Sequence, residues 1–150
     1  MTMSKPESLT FATTLEVRDA CLCLHVQRAA RALARHFDEA LRPYGLSNGQ
    51  FSLLMALNRP EPPRMKDVAA TLAMDRTTLT AALKPLERRG LASSAVDPAD
   101  RRNRVLHLTE TGRATLAAAL PAWRASHAAI EARLPRGDGH GLRAALLALS

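Results

Sequence analysis

Residues 66–109 read KDVAATLAMDRTTLTAALKPLERRGLASSAVDPADRRNRVLHLT, and the order of signals in this stretch decides the fold. Between Lys66 and Ala73, the residues Val68, Ala69 and Leu72 stand at helical spacing, which predicts a short helix ending near Met74. Asp75 supplies a side-chain acceptor where an N-cap belongs. Leu79, Leu83 and Leu86 then recur on one helical face, so a second helix over Arg76–Arg89 buries its leucines and stops at Gly90. Pro85 removes a backbone donor inside that helix and crowds the carbonyl of Ala81, so a kink is expected beyond its first half. Leu91–Val96 and Arg104–Leu108 alternate loosely between apolar and polar residues around the turn-rich Asp97–Asn103, the pattern of a two-stranded hairpin.

Working upstream, a long helical pattern runs from about Thr14 to Arg42 and is closed by Pro43 and Gly45. Ser47 to Gln50 has the S-x-x-Q form of a capping box and precedes the apolar Phe51, Leu54, Met55 and Leu57. That helix stops before a proline-rich connector, Pro60–Pro63. Downstream, Thr109 caps a long helical region carrying Leu116, Leu120, Trp123, His127 and Ile130; a break near Pro135–Gly141 leaves a short terminal helix, Leu142–Leu149. No repeat or low-complexity linker divides the chain, so residues 1–150 read as one domain, mainly α with a small β-hairpin.

Composition agrees: 47 % hydrophobic and 23 % charged residues describe a globular chain, and only 3 % aromatics with few β-branched residues favour packed helices. A net charge of +7 attracts polyanions, either nucleic acid or an anionic membrane surface. No apolar run is long enough to span a bilayer and Met1–Pro6 has no signal-peptide character, so a cytoplasmic protein without membrane attachment is expected. Cys21 and Cys23 are too close for an ordinary disulfide and read as reduced thiols. Cys21 and His25 share a helix face, but no further ligand at a diagnostic spacing completes a metal site, and neither metal nor cofactor is expected. The absence of a phosphate loop, G-x-S-x-G or H-E-x-x-H argues against an enzyme.

The charge points to a partner because of its location. Residues 64–109 hold Arg64, Lys66, Arg76, Lys84, Arg88, Arg89, Arg101, Arg102 and Arg104 against Asp67, Asp75, Glu87, Asp97 and Asp100, so more than half the excess lies in under a third of the chain. On the helix from Arg76 the face opposite the leucines carries Arg76, Thr77, Thr80, Ala81, Lys84 and Arg88, able to hydrogen-bond bases, touch thymine methyls and neutralise phosphates. A helix, a turn, a second helix and a hairpin suit a second helix that enters a DNA major groove with the hairpin as a wing.

At these residues the chain resembles the MarR family of transcriptional regulators. Asp100 to Thr109, DRRNRVLHLT, fits the family's wing signature D-x-R-x-x-x-[LV]-x-L-T at every fixed position; Asp75-Arg76-Thr77-Thr78-Leu79 through Leu86-Glu87-Arg88-Arg89-Gly90-Leu91 resembles its recognition helix. The resemblance implies a winged helix-turn-helix core over about 47–109 and dimerisation helices over about 14–43 and 113–150. It implies a homodimer on a palindromic operator, with Arg102 entering the minor groove, Asp100 orienting the wing arginines, and Arg101 and Arg104 beside them. Repression by covering the promoter follows as the expected function.

Many relatives answer to small aromatic acids or oxidants. Candidates for a small aromatic acid are His25, Arg28, Arg31, Phe51 and Met55, arginine for the carboxylate and Phe51 with Met55 against the ring; Phe51 and Met55 also suit an ordinary core, and the arginines a solvated helix face. Cys23 corresponds to the reactive cysteine of the family's peroxide sensors, although Gln27, Phe37 and Asn48 stand where those carry tyrosines. A thiol sensor and a winged-helix module for protein contacts are the alternative functions.

Overall fold

The computed structural model describes residues 8–150, so the reading of Met1–Pro6 lies outside the described residues. These residues divide into two compact units, one ending at Arg35 and one spanning His36–Ser150. In the first, Thr10 caps helix α1 (Phe11–Ala20) by accepting the N–H of Thr13. Helix α2 (Leu22–Leu41) follows after one residue. The single helix expected from Thr14 therefore begins at Phe11 and is interrupted at Cys21, whose ψ of 109° is extended. The backbone at Cys21 still donates to Val17 and accepts from His25, while its sulfur accepts the N–H of Leu24 at 3.5 Å, an N-cap's role. No described residue before Leu41 is buried.

The second unit begins where α2 buries Leu41 and ends in a 3-10 turn, Arg42–Tyr44, closed by Gly45 at φ 70°. Ser47 then starts helix α3 (Asn48–Leu57) with the expected reciprocal box: its hydroxyl accepts from the N–H of Gln50, and the Gln50 side chain accepts from the N–H of Ser47. Helix α4 (Met65–Thr71) and helix α5 (Arg76–Arg88) are joined by Leu72–Asp75, and α5 continues through Pro85 without interruption. The hairpin pairs β1 (Ala92–Val96) antiparallel to β2 (Arg104–Leu108), with Ala92 opposite Leu108 and Val96 opposite Arg104.

Leu41, Leu53, Leu54, Val68, Leu79, Leu86 and Leu106 are essentially fully buried and come from five of these elements. Burying each contributes about 1.5–3 kcal/mol against leaving it in water, which fixes α3, α4, α5 and β2 around one core. The connector Pro60–Pro63 is more than a linker. Arg64 bridges Val105, and the N–H of Leu106 donates to the carbonyl of Pro63 at 2.9 Å, so a third extended segment flanks β2.

Thr109 caps helix α6 (Glu110–Glu131), accepting from the N–H of Gly112 while its hydroxyl donates to the carbonyl of Gly90 at 2.6 Å. Helix α7 (Gly139–Leu147) begins ahead of the expected Leu142, because Asp138 accepts the N–H of Gly141 and caps the chain there. Among the described residues no helix is long and apolar enough to cross a membrane.

Candidate nucleic-acid interface

With Leu79, Leu83 and Leu86 committed to the core, geometry leaves the other face of α5 in solvent: Arg76, Thr77, Thr78, Thr80, Ala81, Lys84 and Arg88 are all exposed. Their hydrogen-bonding capacity is not equal. Asp75 accepts the N–H of Thr78 at 2.7 Å and its hydroxyl at 3.0 Å, bonds that hold the Asp75 carboxyl below its usual range and use the Thr78 donor for the cap. The hydroxyl of Thr80 donates to the carbonyl of Arg76 at 2.8 Å, so it has only acceptor capacity to offer outward. Arg76, Thr77 and Thr78 precede the first buried leucine, Leu79, and of these exposed residues of the face only Arg88 lies beyond Pro85.

The wing stands beside this face. Nε and Nη2 of Arg102 donate to the two carboxylate oxygens of Asp100 at 3.1 Å each, and the Arg102 backbone N–H reaches the same carboxylate. The guanidinium holds the Asp100 carboxyl below its ordinary range, while Arg102 itself is 89 % exposed. A planar cation is thus held in one direction at the wing tip before any ligand arrives. Arg101 is exposed on the same turn, and Nη2 of Arg104 donates to Ser94 across the hairpin at 2.8 Å. Between α5 and the hairpin runs a groove of about 290 Å³ with Arg76, Thr80, Lys84, Ser94 and Arg104 along it and Glu87 as its one acid.

Sequence reasoning missed the support under the wing. Asp97 is 5 % exposed, accepts Nε of Arg64 at 3.1 Å and the N–H of Ala99 at 2.9 Å, and its own N–H donates to Asn103. An aspartate opening a D-P turn was a visible signal, but its partner lies across the fold rather than along the turn.

Two of the effector candidates, Phe51 and Met55, line different pockets. Phe51 is buried and stacks on Trp123 at 5.9 Å, and Trp123 in turn stacks on Phe37 and His127, at 6.4 and 4.9 Å. These four rings, with Asn48 and Ser52, line a cavity of about 180 Å³. Met55 instead lines a separate apolar pocket with Leu108, Leu116 and Arg113. His25, Arg28 and Arg31 are exposed side chains of the first unit, where Nδ1 of His25 is 2.8 Å from the carbonyl of Cys21 and Arg31 donates to Gln27. Cys23 is exposed and its sulfur accepts Nε2 of Gln27 at 3.2 Å. The aromatic cavity rests on Phe37, Trp123 and His127; the i, i+4 pair Trp123 and His127 hinted at it, but stacking with Phe37 and Phe51 exists only in three dimensions.

Comparison with known proteins places this geometry. A sequence model of the MarR family matches residues 44–103, from the end of the 3-10 turn into the wing. The regulator TtmR of Methylorubrum extorquens is 35 % identical over 95 residues, 63 % of this chain and 49 % of that protein, so the chain spans about half the length of this curated relative. Among solved structures, the M. tuberculosis transcriptional regulator MosR in complex with DNA is 38 % identical, with a TM-score of 0.78 over 86 % of this chain and 92 % of that one. CouR from Rhodococcus jostii RHA1, bound to p-coumaroyl-CoA, is 27 % identical, with a TM-score of 0.74 over 87 % and 92 %. These relatives are transcriptional regulators rather than enzymes.

Proposed function

Because this chain belongs to the MarR family of DNA-binding transcriptional regulators, we propose that it acts as a homodimer on a palindromic operator and represses by covering the promoter. The observation that carries the reading is the exposed hydroxyl and cationic face of α5 beside a wing whose arginine is held by Asp100. In this reading Arg76, Thr77, Thr80 and Ala81 face base edges in the major groove, with Thr80 accepting from an exocyclic amine, while Thr78 holds the helix start through Asp75. Arg102 enters the narrow minor groove, where negative potential is concentrated, and Lys84, Arg88, Arg101 and Arg104 neutralise phosphates. A two-fold dimer sets its recognition helices about 34 Å apart, one turn of duplex. Such a protein works in the cytoplasm, where DNA is at hand.

Selection from a random duplex pool, followed by titration of the winner at two salt concentrations, tests this. A palindrome with half-sites one turn apart is expected; recovery of no motif, with affinity that vanishes at moderate salt, would leave only a basic winged-helix module. Arg102→Ala should weaken binding and reduce the salt slope by about one unit. An unchanged slope would remove Arg102 from the DNA.

Release by a small aromatic acid is the regulatory half of the proposal. CouR holds p-coumaroyl-CoA in its structure, and the cavity ringed by Phe37, Phe51, Trp123 and His127 supports a smaller occupant here. Its volume of about 180 Å³ suits a single ring, since about 150 Å³ of apolar space admits benzene. Operator affinity that ignores a panel of monocyclic aromatic acids would sink this half. A second reading, oxidation of Cys23, is favoured by the exposure of that thiol; operator release by peroxide that is lost in Cys23→Ser would establish it.

A further inference from the structure

We propose that the cavity between α4, the first turn of α5 and the base of the wing is a cradle for one backbone phosphate of duplex DNA; this rests on the DNA-binding reading above. It encloses about 300 Å³. Four cations line it, Arg64, Lys66, Arg76 and Arg104, and no Asp or Glu does; Met65 and Met74 form part of the remaining wall. The four come from four places in the fold: the segment bridging β2, helix α4, helix α5 and strand β2. A concave site with one sign of charge and apolar walls focuses its potential, and an anion entering it relieves the repulsion among those cations.

The state of each cation supports an external anion. Among the described residues Lys66 and Arg76 form no ion pair, and Arg104 donates to the neutral Ser94. Arg64 alone of the four is in an ion pair, engaged through Nε, so Asp97 holds this guanidinium against the hairpin while its terminal nitrogens keep donor capacity; the Asp100 carboxylate, already held by Arg102, lies within electrostatic reach of Arg64 and Lys66. A strand of DNA is the source that fits best. Arg76 and Arg104 also border the groove between α5 and the wing, so two cationic depressions adjoin on one face, as successive charges on a polyanion require. Arg64 and Lys66 thereby join the DNA contacts, although neither belongs to the recognition helix or the wing tip.

The test is a scan of the selected operator in which single phosphates are replaced by neutral methylphosphonates, read with the full-length protein and Lys66→Gln. The wild type is expected to lose affinity several-fold at one position per half-site. Lys66→Gln should lose less affinity than the wild type on the replacement at that position, keep the same preferred sequence, and show a salt slope lower by about 0.9, which is about three- to fourfold less affinity lost between 50 and 200 mM salt. Arg64→Gln should behave alike and Arg64→Lys should restore the slope; thermal melting identifies any loss of fold, and Lys66→Gln, an exposed position, carries the result if Arg64→Gln melts early. A wild type that binds its operator while Lys66→Gln keeps the full slope, or adds its loss to that of every methylphosphonate, overturns the cradle and leaves the regulator reading standing. A wild type with no salt-dependent affinity for any duplex overturns both. Displacement of the operator by inorganic phosphate beyond the effect of chloride at equal ionic strength, with no sensitive position in the scan, assigns the cavity to a free anion and overturns the backbone proposal.

Discussion

Single residues already show how packing overrides local preference. Gly112 lies in the first turn of α6, where alanine is the better helix former by roughly 1 kcal/mol. A Cβ there would meet the carbonyl oxygen of Leu91 and Cδ1 of Leu108, the first being backbone that cannot swing aside. Gly112→Ala should therefore destabilise the protein by about 1–3 kcal/mol in a denaturant titration, and a stabilised variant would refute the contact. Asp38 shows the same dependence on a distant partner. Its carboxylate accepts the backbone N–H of Asn48 at 2.7 Å and the Asn48 side chain at 2.8 Å, and these bonds hold its pKa below the ordinary value. The folded pKa is depressed, so the stability it brings is present above the unfolded value near 4 and is lost as pH falls through the folded one. Asp38→Asn should lower stability at neutral pH and flatten the acid limb below pH about 4. Equal acid limbs in the two proteins would show the bonds to be without energetic effect.

At the scale of elements, the turn between α4 and α5 is the junction that orients α5. Ala73 adopts φ 51°, a left-handed conformation, while the N–H of Met74 returns to the carbonyl of Ala69 at 2.9 Å. That is a glycine-type helix end occupied by alanine, and the left-handed region costs a Cβ-bearing residue roughly 1 kcal/mol or more. Ala73→Gly should then be neutral to stabilising by up to about 1 kcal/mol in thermal melting, the opposite of the usual effect of glycine near a helix. A clear loss would mean that the methyl group packs favourably enough to outweigh the strain. The turn was placed correctly from Asp75 and the leucine spacing, yet its conformation was not legible, because the residue there is not one that advertises a positive φ. The break at Cys21 was hidden for a similar reason: nothing in VRDACLCLH stops a helix, and the thiol serves as a cap.

For the whole molecule, apolar surface is left over at both ends of the chain. Leu9, Phe11, Val17 and Leu22 in the first unit are 55 % exposed or more, and so are Leu147 at the end of α7 and Leu149 just beyond it, which together with the exposed Leu142 and Leu146 gives an apolar C-terminal surface. Surfaces of this kind need a partner, and a second copy is the one our functional reading requires. Sedimentation equilibrium should return twice the chain mass of 16.3 kDa, and dilution should lower the melting temperature, since unfolding of an obligate dimer depends on protomer concentration. A monomer at all concentrations would remove the paired half-sites from the proposal.

The sequence alone determined the element order from α3 onward, the capping box at Ser47, the caps at Asp75 and Thr109, the leucine face of α5 and the presence of the hairpin, because caps, helical periodicity and turn residues act within a few positions of one another. It also marked the exposed face of α5 and the wing arginines, since a face opposite a leucine stripe has nowhere to go but solvent. Only the tertiary structure decided which distant residues share a site. Arg64 reaches Asp97 under the wing, Phe37 and Phe51 meet Trp123 around one cavity while Met55 goes to another, and four cations from separate elements surround a single depression. Those meetings depend on how the core seats one element against the next, and no spacing along the chain encodes that.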